Sequence, residues 1–236
     1  MSNPYLLLWL EAPLQSWGHD SKFGRRDSLG FPTKSGVLGL LCCARGAGGE
    51  EIAWLEKWAD QDMQVMAFVP RDKQGKPLPC QALMRDFHMV GSGYDDQDPW
   101  MTLMIPKTSE GKKAVGGGAK MTYRYYLQDM AFAVAIQAPD VLLKEAAEAL
   151  VSPMWDLYLG RKNCVPTEFI VQGIFATAGQ AMQVGERLAA NKNRAPIFRV
   201  LQGEHEGEVL MLNDIPLQFG EHKKYRDRRV TVQRME

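Results

Sequence analysis

The chain has 236 residues, 45% hydrophobic and 24% charged, a composition that describes a folded protein long enough for one large domain or two small ones. Lys plus Arg and Asp plus Glu number 28 each, so net charge gives no sign of a nucleic-acid partner and only local asymmetry can carry one. The sequence shows no run approaching the ~20 apolar residues that cross a bilayer, no signal-peptide pattern and no C-x-x-C pair among Cys42, Cys43, Cys80 and Cys164, so the expectation is a cytoplasmic protein with reduced thiols, no membrane partner, no metal and no cofactor.

Tyr5 to Leu10 is almost wholly apolar and predicts a strand buried on both faces. A helix is expected over 34–45, ended by Gly46, and Ile52, Leu55 and Trp58 recur at helical spacing within Glu50–Ala59. Met63–Val69 reads as a strand stopped by Pro70, residues 71–79 as turns, and Gln81–Val90 as a strand. From Gly91 to Lys120 glycines, prolines and an acidic cluster obscure any period, and strand character returns over Met121–Gln137. Pro139–Leu150 is an amphipathic helix with Leu142, Leu143, Ala146, Ala147 and Leu150 on one face, followed by a strand-like run at Phe169–Phe175. The order predicts an α+β fold built on a ferredoxin-like β-α-β-β-α-β unit with an elaborated middle hairpin. Residues 1–175 form that domain and 176–236 a small β-rich appendage. The appendage has a helix near Ala181–Ala190, strands at Ile197–Gln202 and Val209–Asn213, and a basic tail.

Several stretches carry chemistry. Phe31-Pro32-Thr33-Lys34-Ser35-Gly36 opens the first helix: Thr33 or Ser35 is placed to cap it, its free N–H groups favour an anion, and Lys34 adds charge. The loop before it holds Lys22, Gly24, Arg25 and Arg26. Together these suit a phosphate backbone, although an ordinary capped helix uses the same residues. In Gly160-Arg161-Lys162-Asn163 a glycine permits close approach, two cations supply charge and an amide is free to pair, against the alternative of a solvated basic loop. Met121–Tyr126 interleaves basics with aromatics, as sheets that stack nucleotides do. Alternation sends Tyr123 and Tyr125 to one side and Arg124 and Tyr126 to the other, so a core claims one face at most. The segment 107–124 sets Lys107, Lys112, Lys113, Lys120 and Arg124 against Glu110 alone. His88, beside Arg85 and Asp86, fits an acid–base group for metal-free RNA cleavage or an ordinary strand residue, and none of His19, His88, His205 and His222 lies in a specific motif.

Five of these stretches in combination resemble one family: Ala12-Pro13-Leu14-Gln15-Ser16-Trp17-Gly18, the segment Phe31 to Leu41, Arg85 to Gly91, Arg124-Tyr125-Tyr126-Leu127-Gln128-Asp129, and Tyr158-Leu159-Gly160-Arg161-Lys162-Asn163-Cys164. The chain is identified on them as a member of the fifth CRISPR-associated protein family, among the repeat-associated mysterious proteins, in its type I-E Cascade form. The resemblance spans about residues 5–175 and returns at Lys224-Tyr225-Arg226. It implies an RRM-like fold with a thumb inserted at about 91–121. It further implies a non-catalytic subunit that caps the 5′ handle of the CRISPR RNA, touches the backbone and large subunits of the complex, and meets target DNA only indirectly. The candidate RNA surface is then Trp17, Arg25, Arg26, Lys34, Ser35, Gly36, Tyr123, Arg124, Gly160, Arg161, Lys162 and Asn163, with Trp100, Met101, Leu103 and Met104 as a wedge on the thumb. A type I-C relative of this family cleaves the repeat itself, so a metal-independent repeat endoribonuclease using His88 or His19 is the alternative.

Overall fold

The structure, a computed structural model, describes residues 3–19, 21, 24–90, 97–100, 107–112 and 120–235. The all-apolar run near the N-terminus becomes β1 (Tyr5–Glu11), and both of its faces are covered. Leu6, Leu8 and Leu10 enter one core, while Leu7 and Trp9 enter a second core on the opposite side of the sheet. A fully buried side chain of this size contributes about 2 kcal/mol, so the strand has no solvent face to mark with polar residues.

The first core is roofed by α1 (Lys34–Arg45), α2 (Ile52–Ala59) and α3 (Asp140–Val151), the second by α4 (Ala178–Asn191). In chain order the strands are β1, β2 (Leu14–Gln15), β3 (Arg25–Arg26), β4 (Met63–Pro70), β5 (Met84–Val90), β6 (Lys120–Gln128), β7 (Ala131–Gln137), β8 (Val171–Phe175), β9 (Arg194–Gln202), β10 (Glu208–Gln218) and β11 (Lys224–Arg234). Seven of them form one sheet in the order β10-β11-β9-β4-β7-β1-β8. Within it β8, β1, β7 and β4 are antiparallel neighbours; α1 and α2 lie between β1 and β4 in the chain, β5 and β6 between β4 and β7, and α3 between β7 and β8.

Residues 176–236, expected as an appendage, continue this sheet. β9 pairs with β4, and α4 covers the face that Leu7 and Trp9 present. Gly185 lets α4 lie so close that a Cβ there would sit 2.7 Å from that of Ala133. The basic tail is strand β11, paired on both sides by β9 and β10. Arg228, Val230 and Thr231 of this strand are buried while Arg226 and Arg229 are not.

The start of α1 is an anion site filled from within the chain. Thr33 Oγ1 accepts from the Gly36 N–H at 3.1 Å, and the Lys34 N–H donates to Asp214 Oδ2 at 2.7 Å. Arg228 holds the same carboxylate through two bonds, Nε to Oδ1 at 2.7 Å and Nη2 to Oδ2 at 2.9 Å, with both side chains almost fully buried. Lys34, expected on the RNA surface, is instead wholly enclosed, its Nζ donating to the carbonyls of Ala59 and Gln61. Burial, reinforced by Arg228 and opposed by Asp214, lowers its pKa to about 8.

Because the folded Lys34 loses its proton near pH 8 and the unfolded one near its ordinary value of 10.5, the unfolded chain binds more protons between those limits. Wild-type stability should therefore rise relative to Lys34→Met by about 1.4 kcal/mol per pH unit across that window. Denaturant midpoints of the two proteins from pH 7 to 10 measure it; a constant difference would refute it. Cys42 and Tyr5, both pushed up to about 12, titrate alike in both proteins and cancel.

Candidate nucleic-acid interface

Outside the main sheet a ribbon forms around β6. β5 pairs along one side of it, and the two-residue β2 and β3 pair along the other, β3 in parallel. The segment 12–18 binds this ribbon to the rest of the protein. Gln15, fully buried, donates to Met130 O at 2.7 Å, Ser16 Oγ donates to Tyr125 O at 3.1 Å, and Trp17 lies against α1, where a Cβ on Gly36 would come within 2.8 Å of its ring. Trp17, expected to touch RNA, is therefore buried against Gly36, which is itself partly exposed, and Ser35 Oγ turns to Thr33 Oγ1.

The loop 158–164 closes over the same segment. Leu159 O accepts from Ser16 N–H at 3.1 Å. Gly160 has φ +93, and a Cβ there would lie 1.6 Å from Ser16 O, so only glycine fits. Arg161 reaches across the ribbon: Nη1 donates to Tyr125 O at 3.2 Å, Nη2 to Arg26 O at 2.8 Å, and its guanidinium stacks 4.6 Å from the centre of the Tyr126 ring. Arg161 thus commits both of its Nη atoms to backbone carbonyls, and its neighbours supply further charge to the cleft.

That charge lines a cleft of about 650 Å³ between the ribbon and the loop, walled by Arg26, Asp86, His88, Arg124, Tyr126, Tyr158 and the residues 160–163. Arg26, Arg124 and Lys162 have no carboxylate partner among the described residues, and Lys162 and Asn163 are exposed at the rim. Asp86 stands opposite Arg124 in the strand register, and His88 opposite Thr122. The cleft can neutralise an anionic chain and offer an amide and an imidazole to its edges. Among the described residues no group of three His, Cys, Asp or Glu side chains is placed to hold a metal ion.

The expected surface is thereby divided in three. Arg26, Arg124, Gly160, Arg161, Lys162 and Asn163 share the cleft. Trp17 and Lys34 belong to the interior, and Gly36, partly exposed, lies against the Trp17 ring at a helix terminus closed by Asp214. Tyr123 and Arg25 lie on the far side of the ribbon, where Arg25 pairs with Asp27 and covers the Tyr125 ring at 4.7 Å. Of the wedge, Trp100 is largely exposed, while Met101, Leu103 and Met104 lie outside the described residues. Sequence reasoning left out Asp86, Tyr126 and Tyr158 as cleft walls; the period-2 alternation that pairs Asp86 and Tyr126 with His88 and Arg124 was the available signal.

A family model described as CRISPR-associated protein (Cas_Cas5) matches residues 5–231. The chain is 27% identical over 172 residues, 72% of its length and 70% of the relative's, to the CRISPR system Cascade subunit CasD of Escherichia coli (strain K12). It superposes on a chain of a solved CRISPR RNA-guided surveillance complex with a TM-score of 0.68 and 27% identity, covering 98% of this chain and 89% of that one. A structure described as a crystal structure of a Cas protein shares the fold at a TM-score of 0.60 and 24% identity, over 98% of this chain and 94% of that one. No described helix is long and apolar enough to cross a membrane.

Gly160→Ala should lower stability by about 3 kcal/mol or more, since both the Cβ clash with backbone and the left-handed φ have to be relieved by moving the loop. Gly30→Ala, where a Cβ would meet nothing within 4 Å, should be nearly neutral. Paired urea melts compare them, and equal midpoints would contradict the account.

Proposed function

The chain belongs to the CRISPR-associated protein (Cas_Cas5) family, and from that premise we propose that it is the subunit that caps the 5′ handle of the guide RNA in a Cascade-type complex, holding it in the cleft of Arg26, Arg124 and Lys162. The observation that carries this reading is the convergence of three cations without acidic partners among the described residues on a loop that Gly160 and Arg161 fix in place. Phosphates neutralised there release counterions, which gives affinity without base specificity. His88, Asp86 and Asn163 are near enough to the cleft wall to read base edges.

The family relationship supports the remaining parts of the reading. The relatives' names place them in Cascade and in an RNA-guided surveillance complex, which fits a chain that works beside backbone and large subunits in the cytoplasm. We read the β8-β1-β7-β4 portion as a ferredoxin-like, RRM-like unit on its strand order, and the insertion between β5 and β6 as the thumb whose Trp100, Met101, Leu103 and Met104 wedge a base or dock on the adjoining subunit.

A second reading, metal-independent cleavage of repeat RNA, draws on one observation: His88, Tyr158 and Lys162 line the same cleft. General acid–base cleavage needs two groups within reach of one scissile phosphate, and Tyr126, enclosed under the Arg161 guanidinium, offers none.

Arg26→Glu combined with Lys162→Glu should weaken handle-RNA binding by at least about tenfold and lower the slope of log affinity against log salt by roughly one unit for each phosphate left unneutralised. Fluorescence anisotropy over a salt series measures both, and unchanged affinity and slope would refute the cleft. Labelled repeat RNA incubated in EDTA should remain intact; site-specific cleavage abolished by His88→Ala would establish the nuclease reading instead.

A further inference from the structure

The far face of the ribbon is the part of the molecule that neither the core nor the cleft uses. Strand register sets Arg85, Phe87 and Met89 opposite Tyr125, Tyr123 and Met121, and alternation points all six away from the cleft. Phe87, Met89, Met121 and Tyr123 are each about half exposed, a concentration of apolar area that a solvated sheet face does not need. The Phe87 and Tyr123 rings lie 5.3 Å apart at 46°, which leaves ring surface of both open to a further planar group. Arg85 sits 5.4 Å from the centre of Tyr123 and Arg25 4.7 Å from that of Tyr125. A guanidinium stacked on a ring keeps its N–H edge turned outward, in the geometry that accepts a phosphate. Arg25 is already engaged by Asp27 through Nε and Nη2, so Arg85 is the cation of this face left to meet a phosphate.

We propose that this outer face is a second nucleic-acid site, a stacking platform for single-stranded polynucleotide that is separate from the cleft. Open π faces beside the Arg85 guanidinium complement a chain of bases and phosphates, and each stacked base supplies affinity whatever its identity. The face reads rings and phosphates, which RNA and DNA share, so it takes both alike. The β6 strand separates it from the cleft, so a strand lying on Phe87 and Tyr123 leaves Arg26 and Lys162 free for the handle.

The test uses the full chain and fluorescein-labelled dT12 and U12 in anisotropy titrations, with the cleft filled by one molar equivalent of unlabelled handle RNA and again without it. The wild type should bind both oligonucleotides within about threefold of each other. Phe87→Leu with Tyr123→Leu should weaken both at least about tenfold and leave handle-RNA affinity within about twofold. Phe87→Tyr, which keeps a ring, should bind as the wild type does and shows that loss follows the ring and not the fold. Lys162→Glu should do the converse, weakening handle RNA alone. Full oligonucleotide affinity in the double leucine variant would overturn the proposal, as expected if the face is an apolar seat for another protein subunit. Loss of handle RNA and oligonucleotide together would overturn it too, by merging the two sites, and a tenfold preference for U12 over dT12 would overturn its indifference to sugar. Handle binding insensitive to Lys162→Glu would count against the cleft while leaving the outer-face result standing.

Discussion

The approach of Gly160 to the backbone of Ser16, closed by the Arg161 guanidinium on the carbonyls of Tyr125 and Arg26, is the constraint on which the rest of the binding architecture depends. β2 and β3 are two residues each, too short to hold a ribbon by their own ladders. Bonds from Arg161 and Ser16 supply what the ladders lack, and both converge on the same carbonyl of β6. A charge-assisted bond is roughly twice as strong as a neutral one, and the Arg161 guanidinium is held further by stacking over the Tyr126 ring. The cleft is therefore formed before any ligand arrives, and little ordering is left to oppose binding.

The same clamp explains why basic residues adjacent in sequence differ in kind. Arg161 has five donors in a planar fork and can bridge two carbonyls while stacking on a ring; Lys162, a point charge on a flexible stem, cannot. The arginine became part of the frame and the lysine stayed at the rim. Around β6 the alternation of the strand divides Arg124 and Tyr126 from Tyr123 and Tyr125, so one short segment contributes charge to one surface and rings to another.

What could be read from the sequence followed the range of the interactions. The bounds of α1 came out at 34–45 because both caps are local: Thr33 reaches three residues ahead and Gly46 adopts a left-handed φ of 68. The double burial of β1 was visible in its uninterrupted apolar run, and the two faces of β6 in its period of two. The Lys34 side chain was misread because its partners, the carbonyls of Ala59 and Gln61, lie at the end of another helix. The start of α1 was expected to meet a phosphate backbone; its Lys34 amide meets Asp214 instead, and nothing local indicates that carboxylate. β2 and β3 leave no period at all in two residues. β11 reads as a basic tail because its exposed positions carry most of its charge, while Arg228 faces inward to a carboxylate fourteen residues earlier.

The closure of α1 by Asp214 spans 180 residues, and α4, which covers Leu7 and Trp9, is likewise made late. A ribosome adding about 5–20 residues per second needs about ten to forty seconds to cover that distance. For that interval the N-terminal strand and helix emerge with an unmet buried amide and one bare apolar face. The nascent chain must be kept from aggregating until its last third appears, and its sheet locks only after synthesis has passed β10. Folding of this subunit is thus tied to the synthesis of α4 and β10, which makes a chain that already carries both, and never an earlier one, the species offered for assembly.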